Sequence, residues 1–209
     1  MSAPRIYVLA GVNGAGKSSI GGAAFRAANA DYFNPDEAAR KICAAHPGTP
    51  IAEANSQAWS IGKRLLKRAV ENRLDFAFET TLGGDTITAL LIRAAREGIE
   101  LHVWYAGLDS VERHIARVRS RVMRGGHDIP ESDVRRRWDR SRENLLRLLP
   151  HLTGLRVFDN STEGDPANGC RPSPQLVLAL KRGVIVAPKN LARTPAWAKP
   201  IVASAMKRI

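Results

Sequence analysis

The sequence predicts an α/β fold in which an open, mostly parallel β-sheet is flanked by helices. Short apolar runs alternate along the chain with longer segments of helical periodicity. The segments between the runs are long enough for helical crossovers, which parallel strands require. The first apolar run leads directly into a glycine-rich turn. With 209 residues, 44% of them hydrophobic, the chain can build one substantial core.

Five apolar runs are the predicted strands of the sheet. They are Arg5–Gly11, Tyr32–Phe33, Asp75–Thr80, Ile99–Ala106 and Leu155–Asp159. The predicted helices between them are Lys17–Asn29, a helix beginning at Pro35, 51–73, Asp85–Glu97, 111–124 and Glu131–Leu149. In the helix over 51–73, apolar residues recur at intervals of three and four. Asp109 or Ser110 is the expected N-cap of the helix over 111–124. A loop over 160–174, a hairpin over Gln175–Ala187 and a short terminal helix over Pro195–Ile209 that contains Trp197 complete the prediction.

The turn after the first strand reads GVNGAGKS over positions 11–18 and matches the phosphate-binding motif G-x-x-x-x-G-K-[ST] in full. Its glycines let backbone N–H groups surround a phosphate, and the following helix N-terminus favours the anion. Lys17 is predicted to reach the β- and γ-phosphates of ATP, and Ser18 to ligate Mg²⁺. The ATP-binding residues predicted from the motif are Gly11, Asn13, Gly14, Ala15, Gly16, Lys17, Ser18 and Ser19. The motif in this context predicts a P-loop NTPase fold.

Other features narrow the class of P-loop protein. No Asp-Glu pair ends an apolar strand, as it usually does in ATP-hydrolysing machines, and no N-K-x-D motif of the GTPase kind is present. Small-molecule and nucleotide kinases therefore fit best. Asp36 follows the second strand and Glu79 closes the third, at the edge of the sheet where ligands of parallel sheets bind. Asp36 is the candidate catalytic base, although a first-turn acid opposite the helix dipole is the alternative.

Substrate binding is predicted for Glu79, with Thr80 and Thr81 as hydroxyl donors, beside Asp36. Arginines form a stripe on the predicted helix over 111–124, at positions Arg113, Arg117, Arg121 and Arg124, and Arg136, Arg140 and Arg147 continue the pattern. A helix, a Gly-Gly break and a second helix fit a lid over about 111–149, whose arginines would stabilise the transferring phosphoryl group. Arg121 and Arg124 are the catalytic candidates, and a solvated basic face is the alternative.

The formal net charge of +12 is located in the second half of the chain. Residues 1–110 carry +1, residues 111–147 carry +5 and residues 148–209 carry +6. A basic surface attracts phosphates of any origin, so nucleic acid is a possible but not a favoured partner. No apolar run is long enough to span a membrane, no leader is evident, and Cys43 and Cys170 are too unlike in setting to suggest a disulfide. A cytoplasmic location is expected.

Several segments together resemble the zeta-toxin family of P-loop kinases over roughly residues 5–160. They are GVNGAGKSS, FNPDEAARK, FETTLGG, VWYAGLDS and RVMRGGHDIPESDVRRRWDRSRENL. The resemblance implies phosphorylation of the 3′-hydroxyl on the amino sugar of UDP-N-acetylglucosamine, or of a related nucleotide sugar, and a possible antitoxin partner. It implies that Lys17 and Ser18 hold ATP and Mg²⁺, that Asp36 is the base, and that Glu79 with Thr80 holds the sugar. It also implies that arginines around Arg121 and Arg124 clamp the phosphates.

Residues 1–174 are expected to form the kinase domain, with residues 175–209 as an appendage packed on it. Two other functions stay open at this point. One is a kinase acting on a nucleoside, a dinucleotide or a nucleic-acid 5′-hydroxyl, which the basic helices and tail would suit. The other is a regulatory protein that uses ATP as a switch.

Overall fold

The computed structural model describes residues 3–17, 20–21, 32–126, 128–162 and 173–207. These residues form one seven-stranded sheet with the strand order β2-β3-β1-β4-β5-β6-β7. The strands are β1 (Arg5–Ala10), β2 (Tyr32–Phe33), β3 (Phe76–Thr80), β4 (Glu100–Gly107), β5 (Gly154–Asp159), β6 (Gln175–Lys181) and β7 (Val184–Ala187). The first five pair in parallel, and β6 and β7 are antiparallel. The predicted mostly parallel α/β sheet is confirmed.

Helices follow most of the parallel strands. They are α1 (Pro35–Ala45), α2 (Ile51–Glu71), α3 (Asp85–Arg96), α4 (Val111–Met123), α5 (Glu131–Leu148) and α6 (Lys199–Met206), with short 3₁₀ turns at Leu149–His151 and Ala196–Ala198. Ser110 rather than Asp109 is the N-cap of α4, and its side chain accepts a hydrogen bond from the backbone N–H of Arg113. The predicted helix over Lys17–Asn29 lies mostly outside the described residues, as do much of the 160–174 loop and Cys170.

The main core lies on one face of the sheet. Buried side chains of β1, β3, β4 and β5 pack there against α2, α3, α5 and α6, with Val8, Leu66, Leu91, Leu145 and Val202 as representatives. A smaller cluster packs α4 and the start of α5 beside the turn after β1 and consists of Val12, Ile115, Val118, Ile129 and Val134. Ile115 and Val118 of α4 therefore face the protein interior.

The strand register brings the ends of three strands together. Ala10 at the end of β1 pairs with Thr80 of β3 on one side and with Tyr105 of β4 on the other. Phe33 at the end of β2 pairs with Phe78 of β3. The loops that leave these strands consequently meet at one edge of the sheet, where ligands of parallel sheets bind.

The C-terminal segment continues the sheet. Strand β6 adds antiparallel to β5, and β7 returns from it through Arg182 and Gly183, which both have positive φ. Beyond the hairpin, Trp197 is buried against the end of β4, close to Tyr105 and Gly107. Among the described residues, no helix combines the length and apolar character needed to cross a bilayer.

Candidate active site

The backbone of the turn after β1 has a conformation that its glycines permit. Gly11 has a φ of +141° and Gly14 a φ of +81°. A Cβ at Gly11 would lie 2.3 Å from the carbonyl oxygen of Ala106, and a Cβ at Gly14 would lie 2.7 Å from that of His114. Any side chain at either position would collide with backbone that cannot move away. The turn is therefore packed tightly against β4 and α4, and this conformation fits a phosphate-binding loop.

Lys17 lies at the end of this loop, and its side chain is almost fully buried. Its ammonium group donates a hydrogen bond to the carbonyl oxygen of Gly11 at 2.7 Å and lies 3.5 Å from Glu79 Oε1. A buried ammonium requires such partners because desolvation disfavours an isolated charge. The lysine ammonium is thus held between the backbone of Gly11 and the carboxylate of Glu79.

Glu79 lies near the end of β3 and is buried beside Lys17. Its second carboxylate oxygen, Oε2, accepts hydrogen bonds from the Tyr32 hydroxyl at 2.9 Å and from Asn34 Nδ2 at 3.2 Å. The carboxylate therefore links β3 to the segment after β2. Asn34 also caps α1, because its Oδ1 accepts from the backbone N–H groups of Asp36 and Glu37.

Asp36 is in the first turn of α1, and its carboxylate is partly exposed toward the same cavity as Glu79. Arg121 of α4 approaches it, with Nη1 3.6 Å from Asp36 Oδ2. This contact joins the predicted base to the predicted lid. Arg124 turns away along its own helix instead, and its guanidinium donates to the backbone oxygen and hydroxyl of Ser120.

Three long-range contacts hold the phosphate-binding loop in place. The ring of His114, in α4, contacts the carbonyl oxygen of Asn13 through Nδ1 at 2.8 Å. Arg137, in α5, donates to Asn13 Oδ1 at 2.9 Å and to Asp133 at 3.1 Å. Asn160, after β5, donates through Nδ2 to the carbonyl oxygen of Ala15 at 2.9 Å. Each contact satisfies a polar atom of the loop without using its N–H groups.

The electrostatics of two of these groups follow from their burial. Desolvation lowers the pKa of His114 to about 4, and the nearby charges of Lys17 and Arg117 add to the effect. The ring is therefore neutral at neutral pH and donates its Nδ1 proton to Asn13. Burial also lowers the pKa of Arg137 below its usual value, with Asp133 acting in the opposite direction. Guanidinium is basic enough to stay charged despite this shift.

A cavity of about 260 Å³ adjoins the loop. It is lined by side chains from the loop, from the segment after β2, from β3 and from α2, α3 and α5. The predicted residues that line it are Asn13, Lys17, Asp36, Glu79, Thr80 and Thr81. The loop after β3 is held by Thr80 Oγ1, which accepts from the N–H of Leu82, and by Asn144, which donates to the Leu82 carbonyl oxygen. The phosphate-binding loop and the predicted acceptor residues thus share one cavity.

The structure places some predicted residues elsewhere or does not describe them. Ser18 and Ser19 lie outside the described residues, so the predicted Mg²⁺ ligand stays a prediction. Among the residues that are described, no cluster of His, Cys, Asp or Glu could hold a metal ion. Most arginines of the predicted lid pair with acids on the protein surface. These pairs are Arg113–Asp109, Arg119–Glu131, Arg135–Glu112, Arg136–Asp133, Arg140–Glu143, Arg142–Asp139 and Arg147–Asp85.

Several site residues were not identified from the sequence. Arg137, and not its predicted neighbours Arg136 and Arg140, reaches the phosphate-binding loop. Asn34, His114 and Asn160 were likewise not singled out. Asn34 could have been found, because an Asn directly before a Pro and two acids is a helix-cap signal. The others contact the loop from more than 100 residues away along the chain, and no local pattern signals such a contact.

A glycine-rich loop after a central parallel strand, with carboxylates facing the same cavity, defines the class as a P-loop kinase. The sequence model of the zeta toxin family matches residues 1–163. This match spans most of the chain, which therefore belongs to the zeta toxin family. An uncharacterized protein of Haemophilus influenzae is 33% identical over 133 residues, which are 61% of this chain and 88% of that protein.

Two groups of solved structures share the fold. The AvrRxo1-ORF1:AvrRxo1-ORF2 complex, solved with sulphate ions, matches 90% of this chain with a TM-score of 0.67 and 17% identity. The chain spans only 61% of the matched chain in that complex. The same complex with ATP gives a TM-score of 0.67 and 16% identity, over 97% of this chain and 63% of the other. The PezAT chromosomal toxin-antitoxin system of Streptococcus pneumoniae matches all of this chain and 86% of the other, with a TM-score of 0.54 and 14% identity.

Proposed function

We propose that this protein binds ATP and transfers its γ-phosphoryl group to a hydroxyl of a nucleotide sugar, with UDP-N-acetylglucosamine as the first candidate. One observation carries the proposal: the phosphate-binding loop with Lys17 and the carboxylate of Asp36 line the same cavity. Family membership and the resemblance of an ATP-bound structure support the choice of nucleotide. The sugar acceptor rests on the family resemblance alone.

The loop suits a triphosphate for reasons visible in its geometry. Its glycines let the backbone pack closely against β4 and α4, and the ammonium of Lys17 lies against the carbonyl oxygen of Gly11. On binding, the ammonium would exchange its contact with the Gly11 carbonyl oxygen for phosphate oxygens. Ser18 is the residue that would ligate Mg²⁺, which in such sites neutralises charge on the β- and γ-phosphates.

The transfer step follows from the placement of Asp36. The acceptor hydroxyl gives its proton to the Asp36 carboxylate, and its oxygen forms the new bond to the γ-phosphorus. The bond between the γ-phosphorus and the bridging oxygen breaks, and its electron pair remains on the β-phosphate of ADP. Lys17, which lines the cavity, and Arg121, which lies 3.6 Å from Asp36, would stabilise the added negative charge. Glu79 positions Lys17 and can accept a hydrogen bond from the sugar.

The test is ATP consumption and product mass in the presence of UDP-N-acetylglucosamine. We expect a product heavier by one phosphate with the wild type and none with Lys17→Ala, because the loop loses the cation that holds the phosphates. Asp36→Asn should lower kcat by about 10²- to 10⁴-fold with little change in ATP binding, because only proton transfer is lost.

Glu37→Gln is the matched control, since Glu37 is the next acid of the same helix turn and lies outside the cavity. Equal losses in Asp36→Asn and Glu37→Gln would contradict the role of Asp36. No phosphorylated product with any of a panel of nucleotide sugars would remove the proposed acceptor class.

We also propose that the activity is harmful to cells and is held silent by an antitoxin protein. The proposal rests on membership of the zeta toxin family and on the resemblance to the PezAT toxin-antitoxin system. Expression of the wild type should slow growth, whereas Lys17→Ala, expressed to the same level, should not. Equal growth of the two strains would contradict a toxin role and would leave the kinase proposal intact.

A further inference from the structure

One wall of the cavity belongs to α2, which the proposed reaction does not use. Its cavity-lining residues are Asn55, Trp59, Gly62 and Lys63, which recur at helical spacing on one face. This wall lies away from the phosphate-binding loop. The loop follows β1. Phe33, which also lines the cavity, is at the end of β2, and β3 lies between β1 and β2 in the sheet. Two strand spacings amount to about 10 Å, so this part of the cavity can hold a group distinct from ATP.

The approach of α2 to the end of β2 depends on Gly62. A Cβ at this position would lie 2.6 Å from Cε1 of Phe33. The glycine therefore lets the helix pack directly on the ring of Phe33. This close packing brings the next residue, Lys63, and the preceding turn, with Trp59, to the cavity.

Lys63 and Trp59 lie one helical turn apart and both line the cavity. The Lys63 ammonium lies 4.7 Å from the centroid of the Trp59 ring. Within the described part of the chain, no carboxylate lies within ion-pair distance of Lys63, whereas Lys17 pairs with Glu79 and Lys67 with Glu71. Trp59 is 45% exposed, a large fraction for an indole that lines a cavity. The wall thus presents a positive charge that has no carboxylate partner among the described residues, next to a partly exposed indole ring.

We propose that Trp59 and Lys63 form the subsite for the acceptor, and that the acceptor carries a phosphate group next to a ring. Lys63 binds the phosphate oxygens, and the indole of Trp59 packs on the sugar or base ring. A nucleotide sugar has both features, and its reacting hydroxyl would then extend toward Asp36. This inference rests on the proposed kinase function, and it assigns the recognition of the acceptor to α2.

The test measures binding, so that it does not depend on turnover. Isothermal titration with UDP-N-acetylglucosamine is done while a non-hydrolysable ATP analogue saturates the phosphate-binding loop. We expect Lys63→Ala to weaken binding about tenfold or more, because a charge-assisted contact to phosphate is lost. Trp59→Ala should weaken it about fivefold or more through loss of stacking. Lys63→Arg should retain most of the affinity.

Lys67→Ala is the matched control, because Lys67 is one turn further along the same helix, does not line the cavity and pairs with Glu71. It should bind as the wild type does, and affinity for the ATP analogue should be unchanged in every variant. Uncharged N-acetylglucosamine should bind the wild type at least tenfold more weakly than UDP-N-acetylglucosamine.

Three results would overturn the subsite: wild-type affinity in Lys63→Ala, equal affinity for the charged and uncharged sugars, or no binding of UDP-N-acetylglucosamine to the wild type. Failure of the kinase proposal would be distinct. In that case the wild type would bind both the ATP analogue and UDP-N-acetylglucosamine but would form no phosphorylated product. The differences in affinity between the variants would still be present.

Discussion

His114 shows how a single buried side chain can hold a functional loop. Its ring is fully buried between the phosphate-binding loop and α5, where it contacts the Asn13 carbonyl oxygen and the edge of Trp138. Protonation of the buried ring would place an additional positive charge near Lys17 and Arg117. The neutral ring is therefore the form that the folded protein stabilises, and its pKa falls to about 4.

This shift predicts a loss of stability in mild acid. The pKa of His114 is about 4 in the folded protein and about 6.5 in the unfolded chain, so the unfolded chain binds the proton more tightly. The stabilisation is complete above about pH 6.5 and is lost as the pH falls to about 4, by roughly 3 kcal/mol. His114→Gln keeps a donor for Asn13 but does not titrate. Urea unfolding at several pH values between 7 and 4 should show that the free energy of unfolding falls less in this variant than in the wild type. An equal fall in the two proteins would contradict the assignment of the pH dependence to His114.

Lys17 and Glu79 show how two buried charged side chains stabilise one another. Lys17 and Glu79 are both buried, and each has its charge balanced by the other. Their positions in the chain could be read from the motif and from the end of β3. Their pairing could not, because it depends on the register that sets β1 beside β3.

At the scale of elements, the contact between Trp197 and the end of β4 connects the C-terminal segment to the sheet. The ring of Trp197 is 4% exposed, and a Cβ at Gly107 would lie 2.2 Å from its Cη2 atom. Gly107 thus leaves the space that the indole fills. The 3₁₀ turn and α6 are held to the main core through this ring and the side chains of Ile201 and Val202.

A double-mutant cycle tests this contact. Trp197→Ala should lower the free energy of unfolding by about 3–5 kcal/mol because it leaves a large cavity. Gly107→Ala should cost about 1–3 kcal/mol through overpacking. The double variant should cost less than the sum, because the new methyl group fills space that the ring has left. Trp59→Ala, at an exposed tryptophan, is the control and should change stability by less than about 1 kcal/mol. If chemical denaturation showed that the losses of the two single variants simply add in the double variant, direct packing of Trp197 on Gly107 would be contradicted.

Helices α4 and α5 illustrate what a charge pattern predicts and what it leaves open. The arginine stripe on α4 is real, and Arg121 of that stripe contacts Asp36. Arg117 of the same stripe instead donates to the backbone oxygen of Asn160. On α5 most arginines pair with surface acids, and only Arg137 among those described reaches the loop. Helical periodicity indicates which residues share a face, but the angle between packed helices decides which of them meets the site.

For the whole molecule, the net charge of +12 has to be weighed against these ion pairs. Many arginines of residues 111–147 already pair with a carboxylate of the protein, so fewer of them can bind the phosphate groups of a nucleic acid. We expect a 20-nucleotide single strand at physiological salt to bind only in the micromolar-to-submillimolar range of non-specific contacts. Fluorescence anisotropy over a salt series measures this affinity. Nanomolar binding with a steep salt dependence would instead favour a nucleic-acid 5′-hydroxyl as the acceptor.

Much of the molecule follows from the sequence alone. The parallel sheet, most helix boundaries, the phosphate-binding loop and the neighbourhood of Asp36 and Glu79 depend on local chemistry: apolar periodicity, glycine conformation and the rule that ligands bind where parallel strands end. Such signals act within a few residues of one another and can be read along the chain.

The tertiary structure alone decided which side chains complete the site. Arg137 meets Asn13 across 124 residues, and Asn160 meets Ala15 across 145. Nothing in the local sequence distinguishes Trp59 and Lys63 from other residues of an amphipathic helix. The packing of Gly62 on Phe33 is what places them at the cavity. Contacts of this kind depend on how several helices and strands pack together, and the local sequence around each residue does not determine that packing.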